Sequence, residues 1–363
     1  MAYTTINKSK EHFNTKLYTG DGNASRAITG VGFQPDLVWI KKRNGVASNI
    51  LSDSVRGVTK TIYSESTSAE LTNNQYGWVS AFGTDGFTTA NTNTNAINGN
   101  GDTYVSWNWK AGGTGSANSN GTISSTVSVN TTAGFSIVAY TGNGTGNSTI
   151  GHGLGATPKF IIVKRRDSTG NWGTYNPAFV SASDPSILYL DTNASKAADT
   201  NVFGTSAAFN NNTFTVGDWN GSNVNYGNYI AYVFAEKTGY SKFGNYKGNG
   251  NSNGTFIYTG FKPAWVLIKE TTDVGAWRIY DSKRGLGGDN IGGNYKNALM
   301  ADVNSVEESG ATNNIIDFLS NGFKCRFTYN DTNGNGNSYI YIAFAEEPLV
   351  ANVGTNGIPA TAG

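Results

Sequence analysis

Cysteine, histidine and charged residues are all scarce in this chain of 363 residues. It contains one cysteine and two histidines, and only 14% of its residues are charged. The single cysteine, Cys325, excludes an internal disulfide framework, and its apolar neighbours predict a buried structural thiol. His12 and His152 have no second His, Cys or acid nearby in sequence. We therefore expect no transition-metal site, no catalytic triad and no cofactor.

Charge of one sign and long apolar runs are also missing. The formal net charge is +1, and no Lys/Arg cluster stands out. A nucleic-acid partner is therefore not expected. No run approaches the roughly 18 apolar residues of a membrane span, and the first ten residues lack the apolar core of a signal peptide. The sequence predicts neither membrane insertion nor secretion by a leader.

Glycine, asparagine and aromatic residues are plentiful. There are 47 Gly and 46 Asn, with 8 Trp, 19 Tyr and 18 Phe. Short β-rich runs, punctuated by Asn, Gly, Ser and Thr, recur about every ten residues, whereas helical periodicity is absent. This pattern predicts an all-β protein made of antiparallel sandwiches. The best candidate for a short helix is residues 314–319.

One phrase occurs three times along the chain. Each copy has a glycine turn, a proline, a run of apolar residues and then a lysine six residues after the proline. Aromatic strands precede and follow each copy, so the repeating unit is about a hundred residues long. That length is too great for a solenoid rung and predicts a small domain with its own core. The three copies of the phrase are residues 29–41, 151–164 and 258–269.

The aromatic strands that begin and end each repeat predict tandem β-sandwich domains of a jelly-roll or lectin-like kind. The domains would be built from three related repeats. Only a few residues separate the second repeat from the third, so we expect these two to pack as a fixed pair. The predicted segments are an N-terminal arm (1–12), repeat 1 (13–110), a Gly/Ser/Thr/Asn-rich linker (111–134), repeat 2 (135–237), repeat 3 (242–348) and a C-terminal tail (349–363).

The acidic residues do not form a convincing catalytic pair. Glycosidases need two carboxylates across one sugar bond, but Glu236 and Glu346 end equivalent strands of separate repeats. We therefore predict that the protein is not an enzyme. Two matching Asp-x-x-Arg turns, residues 53–56 and 281–284, favour an Asp that accepts from turn amides and pairs with the Arg. A ligand-facing Arg is the alternative.

One loop matches the first half of a calcium-binding pattern. Asp331, Asn333 and Asn335 stand at the first, third and fifth places, with Gly336 at the sixth. The twelfth place is Ile342, so the bidentate Glu is missing. We treat these residues as a weak calcium candidate and favour a solvated Asn/Gly hairpin turn.

The aromatic residues are the most informative. Tryptophans inside the repeated strands are predicted to be core, whereas those outside them are predicted to lie at a surface or interface. Aromatic rings stack on sugar faces, and neighbouring Asn, Asp and Ser exchange hydrogen bonds with hydroxyls. The candidate glycan-binding residues are Trp172, Tyr175, Trp277, Tyr280 and Trp219.

Several longer phrases resemble a repeat family that is widespread in tailed bacteriophages, especially marine ones. They are residues 120–128, 133–142, 151–155 and 339–346, together with the proline phrase. Members of that family are usually described as tail-fibre-like or virion structural proteins, sometimes with a lectin/glucanase-like sandwich. The resemblance covers nearly the whole chain.

The resemblance implies a protein assembled in the host cytoplasm and exposed on the outside of the virion. A fibre-like protein would contact other virion proteins and host surface polysaccharide, and the resemblance to phage fibres implies a homotrimer. The alternative is a capsid-decorating, head-fibre or tail-attached assembly protein with no receptor binding. The scarcity of cysteine and the Asn/Tyr/Trp-rich composition suit either role.

Overall fold

The structure confirms the all-β fold. It is a computed structural model, and it describes residues 4–93, 96–179, 186–204, 209–284, 294–295, 297–308, 316–347, 350–351 and 358–359. Two short helical turns accompany the strands in these ranges, a 3₁₀ turn at Ser9–Glu11 and the helix α1 at Asn330–Asn333.

Repeat 1 contains nine strands in two sheets. The large sheet has the order β1-β9-β3-β4-β5-β6 and the small sheet has the order β2-β8-β7. The strands are β1 (Phe13–Thr19), β2 (Ser25–Thr29), β3 (Leu37–Lys42), β4 (Ile50–Asp53), β5 (Lys60–Tyr63), β6 (Leu71–Thr72), β7 (Trp78–Gly83), β8 (Gly86–Ala90) and β9 (Thr103–Trp109).

Repeat 2 has the same plan with two more strands at one edge. Its large sheet has the order β10-β11-β12-β19-β14-β15-β16-β17, and β13 pairs with β18. The strands are β10 (Ser116–Asn118), β11 (Ser125–Asn130), β12 (Phe135–Thr141), β13 (Ser148–Gly151), β14 (Phe160–Arg165), β15 (Gly173–Tyr175), β16 (Ser186–Tyr189), β17 (Ala197–Ala198), β18 (Thr213–Val216) and β19 (Asn228–Phe234).

Repeat 3 again pairs a large sheet, β20-β28-β22-β23-β25, with a small one, β21-β27-β26-β24. Its strands are β20 (Ser241–Lys247), β21 (Phe256–Tyr258), β22 (Pro263–Glu270), β23 (Arg278–Asp281), β24 (Asn294–Tyr295), β25 (Leu299–Met300), β26 (Ile316–Leu319), β27 (Gly322–Cys325) and β28 (Ser338–Ala345). A last pair, β29 (Val350–Ala351) and β30 (Ile358–Pro359), follows it.

The three large sheets share one strand order, which confirms the triplication. In each sheet the closing strand of the repeat lies between the opening strand and the strand of the proline phrase, and all these pairs are antiparallel. Lys41, Lys164 and Lys269 consequently occupy equivalent positions in β3, β14 and β22.

Alternation along the strands gives each large sheet two apolar faces. In β3, Val38 and Ile40 belong to the cluster inside repeat 1, while Leu37 and Trp39 belong to a cluster that spans all three repeats. In β22, the corresponding inward residues Trp265 and Leu267 join that same shared cluster. Period-two alternation therefore divides repeats 1 and 3 between their own sandwiches and a common core, whereas both faces of the repeat 2 sheet belong to the common core.

The common core lies where the three large sheets meet. Four residues from each repeat surround a void of about 20 Å³, and all twelve are apolar or aromatic. The rings of Trp109 and Trp265, from different repeats, meet edge to face with centroids 5.7 Å apart. The repeats are thus arranged around a pseudo-threefold axis, a relationship that the sequence did not reveal. Repeat 1 packs on repeats 2 and 3, and all three share one core.

Each repeat has a buried asparagine at the equivalent position, and this residue closes one end of the repeat. Asn98, Asn223 and Asn333 each accept from and donate to the turn that follows the opening strand. The first glycine of that turn leaves no room for a side chain. A Cβ at Gly142, for example, would lie 2.4 Å from the carbonyl oxygen of Val224. Only glycine permits so close a backbone approach.

Three segment predictions differ from the structure. The composition of segment 111–134 predicts a flexible linker or exposed arm, although residues 122–129 within it alternate with period two and indicate a strand laid across a repeat. The segment supplies β10 and β11 to the sheet of repeat 2, so the strand is confirmed and the free linker is wrong. The arm 1–12, predicted to pair with a neighbour or dock on another subunit, packs on its own chain over its described part, where Ile6 is buried in the common core. The helix candidate 314–319 was wrong where it is described, since Ile316–Leu319 is strand β26. A short apolar run does not distinguish strand from helix.

The remaining segment prediction concerns the C-terminal tail. It lies largely outside the described residues, apart from β29 and β30.

Candidate functional site

The structure buries four of the five aromatic residues that were predicted to bind a glycan. Trp172, Trp277 and Tyr280 have no exposed surface, and Tyr175 is also buried. Trp172 donates its indole N–H to Tyr63 O at 2.9 Å, and Trp277 donates to Tyr189 O at 2.9 Å. Both bonds cross from one repeat to the next. The prediction that these four residues contact a ligand was wrong, because all four are buried: the two tryptophans join repeats, while Tyr175 packs inside repeat 2 and Tyr280 inside repeat 3.

The fifth candidate, Trp219, is half-buried. Its ring packs against Tyr189, with centroids 5.5 Å apart, and lies so close to the backbone of Gly221 that a Cβ there would clash with it. The indole is therefore wedged between the chain and a neighbouring ring. The ring therefore serves packing within repeat 2, and a role for Trp219 in ligand binding stays a prediction.

The calcium candidate is also contradicted. Asp331 accepts from Arg278 at 2.7 Å, and the Asn333 side chain bonds the backbone of two loops. Both residues belong to α1, where Asp331 Oδ2 is held by Arg278 and Asn333 Oδ1 accepts from the amide of Asn249, and Asn335 is exposed at the loop tip. Among the described residues, no three His, Cys, Asp or Glu side chains are grouped to hold a metal ion.

The two Asp-x-x-Arg turns have the predicted structural role. Asp53 accepts from the amides of Val55 and Arg56 at 3.1 and 2.8 Å, and Asp281 accepts from Lys283 and Arg284 at 3.1 and 3.0 Å. In each turn the guanidinium Nε lies 2.5 Å from the carboxylate. Both ion pairs are fully buried, which excludes the alternative of a ligand-facing Arg.

Each of these carboxylates also accepts a bond from another repeat. Tyr232 of repeat 2 donates to Asp53 Oδ2 at 2.8 Å, and Trp107 of repeat 1 donates to Asp281 Oδ2 at 2.9 Å. Tyr232 and Trp107 occupy equivalent places in the closing strands. At the equivalent place in its closing strand, repeat 3 has Ile342, which has no donor. At the position of the two aspartates, repeat 2 has Asn176. Donor and acceptor are therefore lost together.

Three buried lysines join the repeats in a cycle. Lys41 donates to Asn304 O of repeat 3 at 2.9 Å, Lys164 to Thr67 O of repeat 1 at 2.8 Å, and Lys269 to Asn193 O of repeat 2 at 3.2 Å. Burial lowers the pKa of each ammonium group to about 8. The lysine that ends each proline phrase is thus an inter-repeat bridge rather than a strand-end surface charge.

Histidine and cysteine have structural environments. His152 is buried and accepts from the amide of Leu154 through Nδ1, and burial lowers its pKa. Burial raises the pKa of Cys325 to about 12, so the thiol stays protonated at neutral pH, as predicted for a structural cysteine. The strand-end acids Glu236 and Glu346 pair with Lys242 and Lys262 at 2.7 and 2.8 Å.

The most exposed aromatic side chain among the described residues lies elsewhere. Tyr226 is 80% exposed and has a backbone φ of +63°. It stands three residues before the closing Tyr229, where the other repeats have Gly101 and Gly336. Aligning the three closing strands would have identified it from sequence. Next to its loop, an open cleft of about 370 Å³ lies across strands β10, β11 and β12 and the start of β19.

The comparisons with known proteins leave the activity open. In the described part of the chain, no helix has the length and hydropathy to cross a membrane. No curated protein and no solved structure matches the sequence. One family model matches residues 8–348, and its description is a domain of unknown function, DUF7483. Because this match spans all three repeats, the chain belongs to the DUF7483 family.

Proposed function

We propose that this protein is a structural component of a tailed-bacteriophage particle that is exposed on the outside and binds host surface glycans. The observation that carries the proposal is the closed body of three sandwiches around one aromatic core. Such a body is rigid, and its turns and loops lie at the surface, where a ligand can reach them. The sequence resemblance to phage fibre-like proteins supports the same role.

We infer binding rather than catalysis. Glu236 and Glu346 pair with lysines, and Asp53 and Asp281 are buried in ion pairs with arginines. A general acid or nucleophile has to reach a substrate with a free oxygen. These carboxylates are instead used to hold strands and turns together. Amides, hydroxyls and Tyr226 remain at the surface, and they suit the recognition of a polyhydroxylated ligand.

Capsid decoration is the second candidate, and the pseudo-threefold arrangement favours it. A body with three similar faces around one axis matches a threefold site on a particle, because equivalent surfaces then meet equivalent partners. In that role the partners are other virion proteins, and no host receptor is bound. A homotrimer, expected from the resemblance, stays a prediction. Without a homotrimer, a single copy would also match a threefold site, because its three repeats already form a body with pseudo-threefold symmetry.

Localisation on purified particles tests the two candidates. Adhesion predicts that antibody against this protein labels the tail or fibre tips, and that the purified protein competes with particles for adsorption to host cells. Decoration predicts labelling over the capsid and unchanged adsorption. Capsid-only labelling without competition would contradict the adhesion proposal.

A further inference from the structure

Repeat 2 departs from the threefold pattern at one end of its large sheet. Tyr226 occupies the place of Gly101 and Gly336, whose φ angles are +76° and +77°. The backbone of Tyr226 keeps the same left-handed conformation, with φ +63°. All three loops thus have one shape, and only repeat 2 places a large side chain on it.

Tyrosine at this place is unfavourable for folding. A side chain other than glycine is disfavoured in the left-handed region, because its Cβ crowds the backbone carbonyl oxygen. Burial does not offset that cost, because Tyr226 is 80% exposed. A Cβ built at Gly101 or Gly336 meets nothing within 4 Å, so the site offers no packing partner there. The aromatic ring therefore has no structural role that glycine would not fill better.

The second departure is the pair of added strands, β10 and β11. They extend the sheet beyond β12, whereas the sheets of repeats 1 and 3 end at the equivalent strands β1 and β20. The extension creates the cleft of about 370 Å³, in the size range of sites for small ligands. Exposed hydroxyl and amide groups line it, from Ser124, Thr126, Thr141 and Asn228.

The charge in this cleft is compensated. Arg166 lines it, but its guanidinium makes a bidentate ion pair with Glu70, with bonds of 3.0 and 3.1 Å. A paired guanidinium is poorly suited to bind a second anion. The cleft is thus a neutral surface of hydroxyls and amides, which favours a neutral polyhydroxylated ligand over a phosphate or a uronate.

Tyr226 and the cleft adjoin each other. The Tyr226 amide donates to Gly142 O at 2.9 Å, and Gly142 follows Thr141 directly. Thr141 faces Asn228 across the β12/β19 pair, and its hydroxyl donates to Asn228 Oδ1 at 3.1 Å. The exposed ring thus stands on the loop that leads into β19, two residues before the cleft-lining Asn228.

We propose that Tyr226 and the adjoining cleft form a binding site for a neutral hexose or N-acetylhexosamine segment of a host polysaccharide. This inference rests on the proposed function and assigns its site. Tyr226 supplies a ring face for stacking on a pyranose. Ser124, Thr126, Thr141 and Asn228 supply donors and acceptors for its hydroxyl groups.

The test replaces Tyr226 with the residue of the other repeats. The full-length protein and its Tyr226→Gly and Asn228→Ala variants are screened on an array of neutral hexose and N-acetylhexosamine oligosaccharides. The best ligand is then titrated by calorimetry. Tyr258→Ala, which removes a tyrosine exposed to 55% on repeat 3, is the matched control. Denaturant unfolding of Tyr226→Gly checks its fold, which we expect to be at least as stable as wild type.

We expect wild type and Tyr258→Ala to bind alike, and Tyr226→Gly to bind at least about 10-fold more weakly. Equal binding by wild type and a folded Tyr226→Gly variant would overturn this site but leave glycan adhesion standing. Loss of stability in Tyr226→Gly would also overturn the proposal, because the ring would then be structural. If no glycan binds and only a protease-sensitive host or virion extract does, both the site and glycan adhesion fail.

Discussion

Tyr232 in the closing strand of repeat 2 donates its hydroxyl to the carboxylate of Asp53 in repeat 1, over 2.8 Å. Both groups are fully buried, and the same carboxylate holds Arg56. This bond therefore links the ion pair that fixes one repeat to the central strand of the next. Trp107 and Asp281 form the corresponding link between repeats 1 and 3, over 2.9 Å.

Removing the Tyr232 hydroxyl is expected to destabilise the whole protein. Tyr232→Phe leaves the ring in the core but takes one donor from a buried carboxylate, which costs about 1–3 kcal/mol. Denaturant unfolding measures this change. Tyr258→Phe, on an exposed tyrosine, is the control and should change stability by less than about 0.5 kcal/mol. Equal stability of Tyr232→Phe and wild type would show that the bond is not formed.

Replacing Trp172 with a smaller aromatic residue tests the contact between repeats 1 and 2. In Trp172→Phe the indole N–H that reaches Tyr63 O and Ser66 O is lost, together with part of a fully buried ring. We expect a loss of about 2–4 kcal/mol, measured by unfolding, and no specific effect on ligand binding. A stable Trp172→Phe variant with impaired glycan binding would restore Trp172 as a ligand residue.

A pair of glycine variants tests the turn that closes each repeat. Gly142→Ala places a Cβ 2.4 Å from Val224 O, so the turn must move away from Asn223, and we expect a loss of about 2–4 kcal/mol. Gly146, a few residues later, has open space around its Cβ position. Gly146→Ala should be neutral within about 0.5 kcal/mol. The prediction fails if both variants are equally stable in denaturant.

Stability is expected to rise with pH between about 8 and 10. Burial lowers the pKa of Lys41, Lys164 and Lys269 from 10.5 to about 8. In this window the unfolded chain binds more protons than the folded chain, so raising the pH favours folding. Lys164→Met should reduce the slope, and thermal unfolding at pH 7, 8, 9 and 10 measures it.

Above pH 10 the slope should reverse. Burial raises the pKa of Tyr63 and Tyr175 to about 12, so these phenols lose their protons in the unfolded chain first. Their stabilising contribution is present below pH 10 and is lost as the pH rises toward 12. A stability that falls steadily from pH 8 upward would contradict the placement of the three lysines in the core.

The sequence was sufficient for the class of fold and for several local structures. Period-two alternation, glycine turns and the triplicated phrase predicted the sandwiches, and the Asp-x-x-Arg pattern predicted both buried turns. In each case the signal lies within a few residues of the group that it describes. Local chemistry therefore decided these predictions.

The arrangement of the repeats could not be read in the same way. A strand buried on both faces, such as β3 with Val38 and Trp39, looks the same whether its second face meets a sheet of its own domain or of another. Trp172 and Trp277 lie outside the repeated strands, which suggested exposure. Their partners are carbonyl groups more than 85 residues away in sequence, and nothing in the local pattern identifies them.

Tyr226 was within reach of sequence reasoning. Its offset from the closing tyrosine equals that of Gly101 and Gly336, so an alignment of the three repeats exposes the exchange of glycine for tyrosine. The alternation of residues 122–129 indicated a strand, but the adjoining cleft was not predictable, because nothing in the local pattern shows that this strand extends the sheet of repeat 2.

Scanning calorimetry tests the shared pseudo-threefold core most directly. Because the three repeats bury Trp39, Trp109, Trp265 and their neighbours against one another, we predict a single transition whose calorimetric and van't Hoff enthalpies agree. Trp265→Ala, changed only in repeat 3, should lower the temperature of that whole transition without splitting it. Two or three separable transitions, with only one shifted by Trp265→Ala, would contradict the shared core and indicate independent tandem domains.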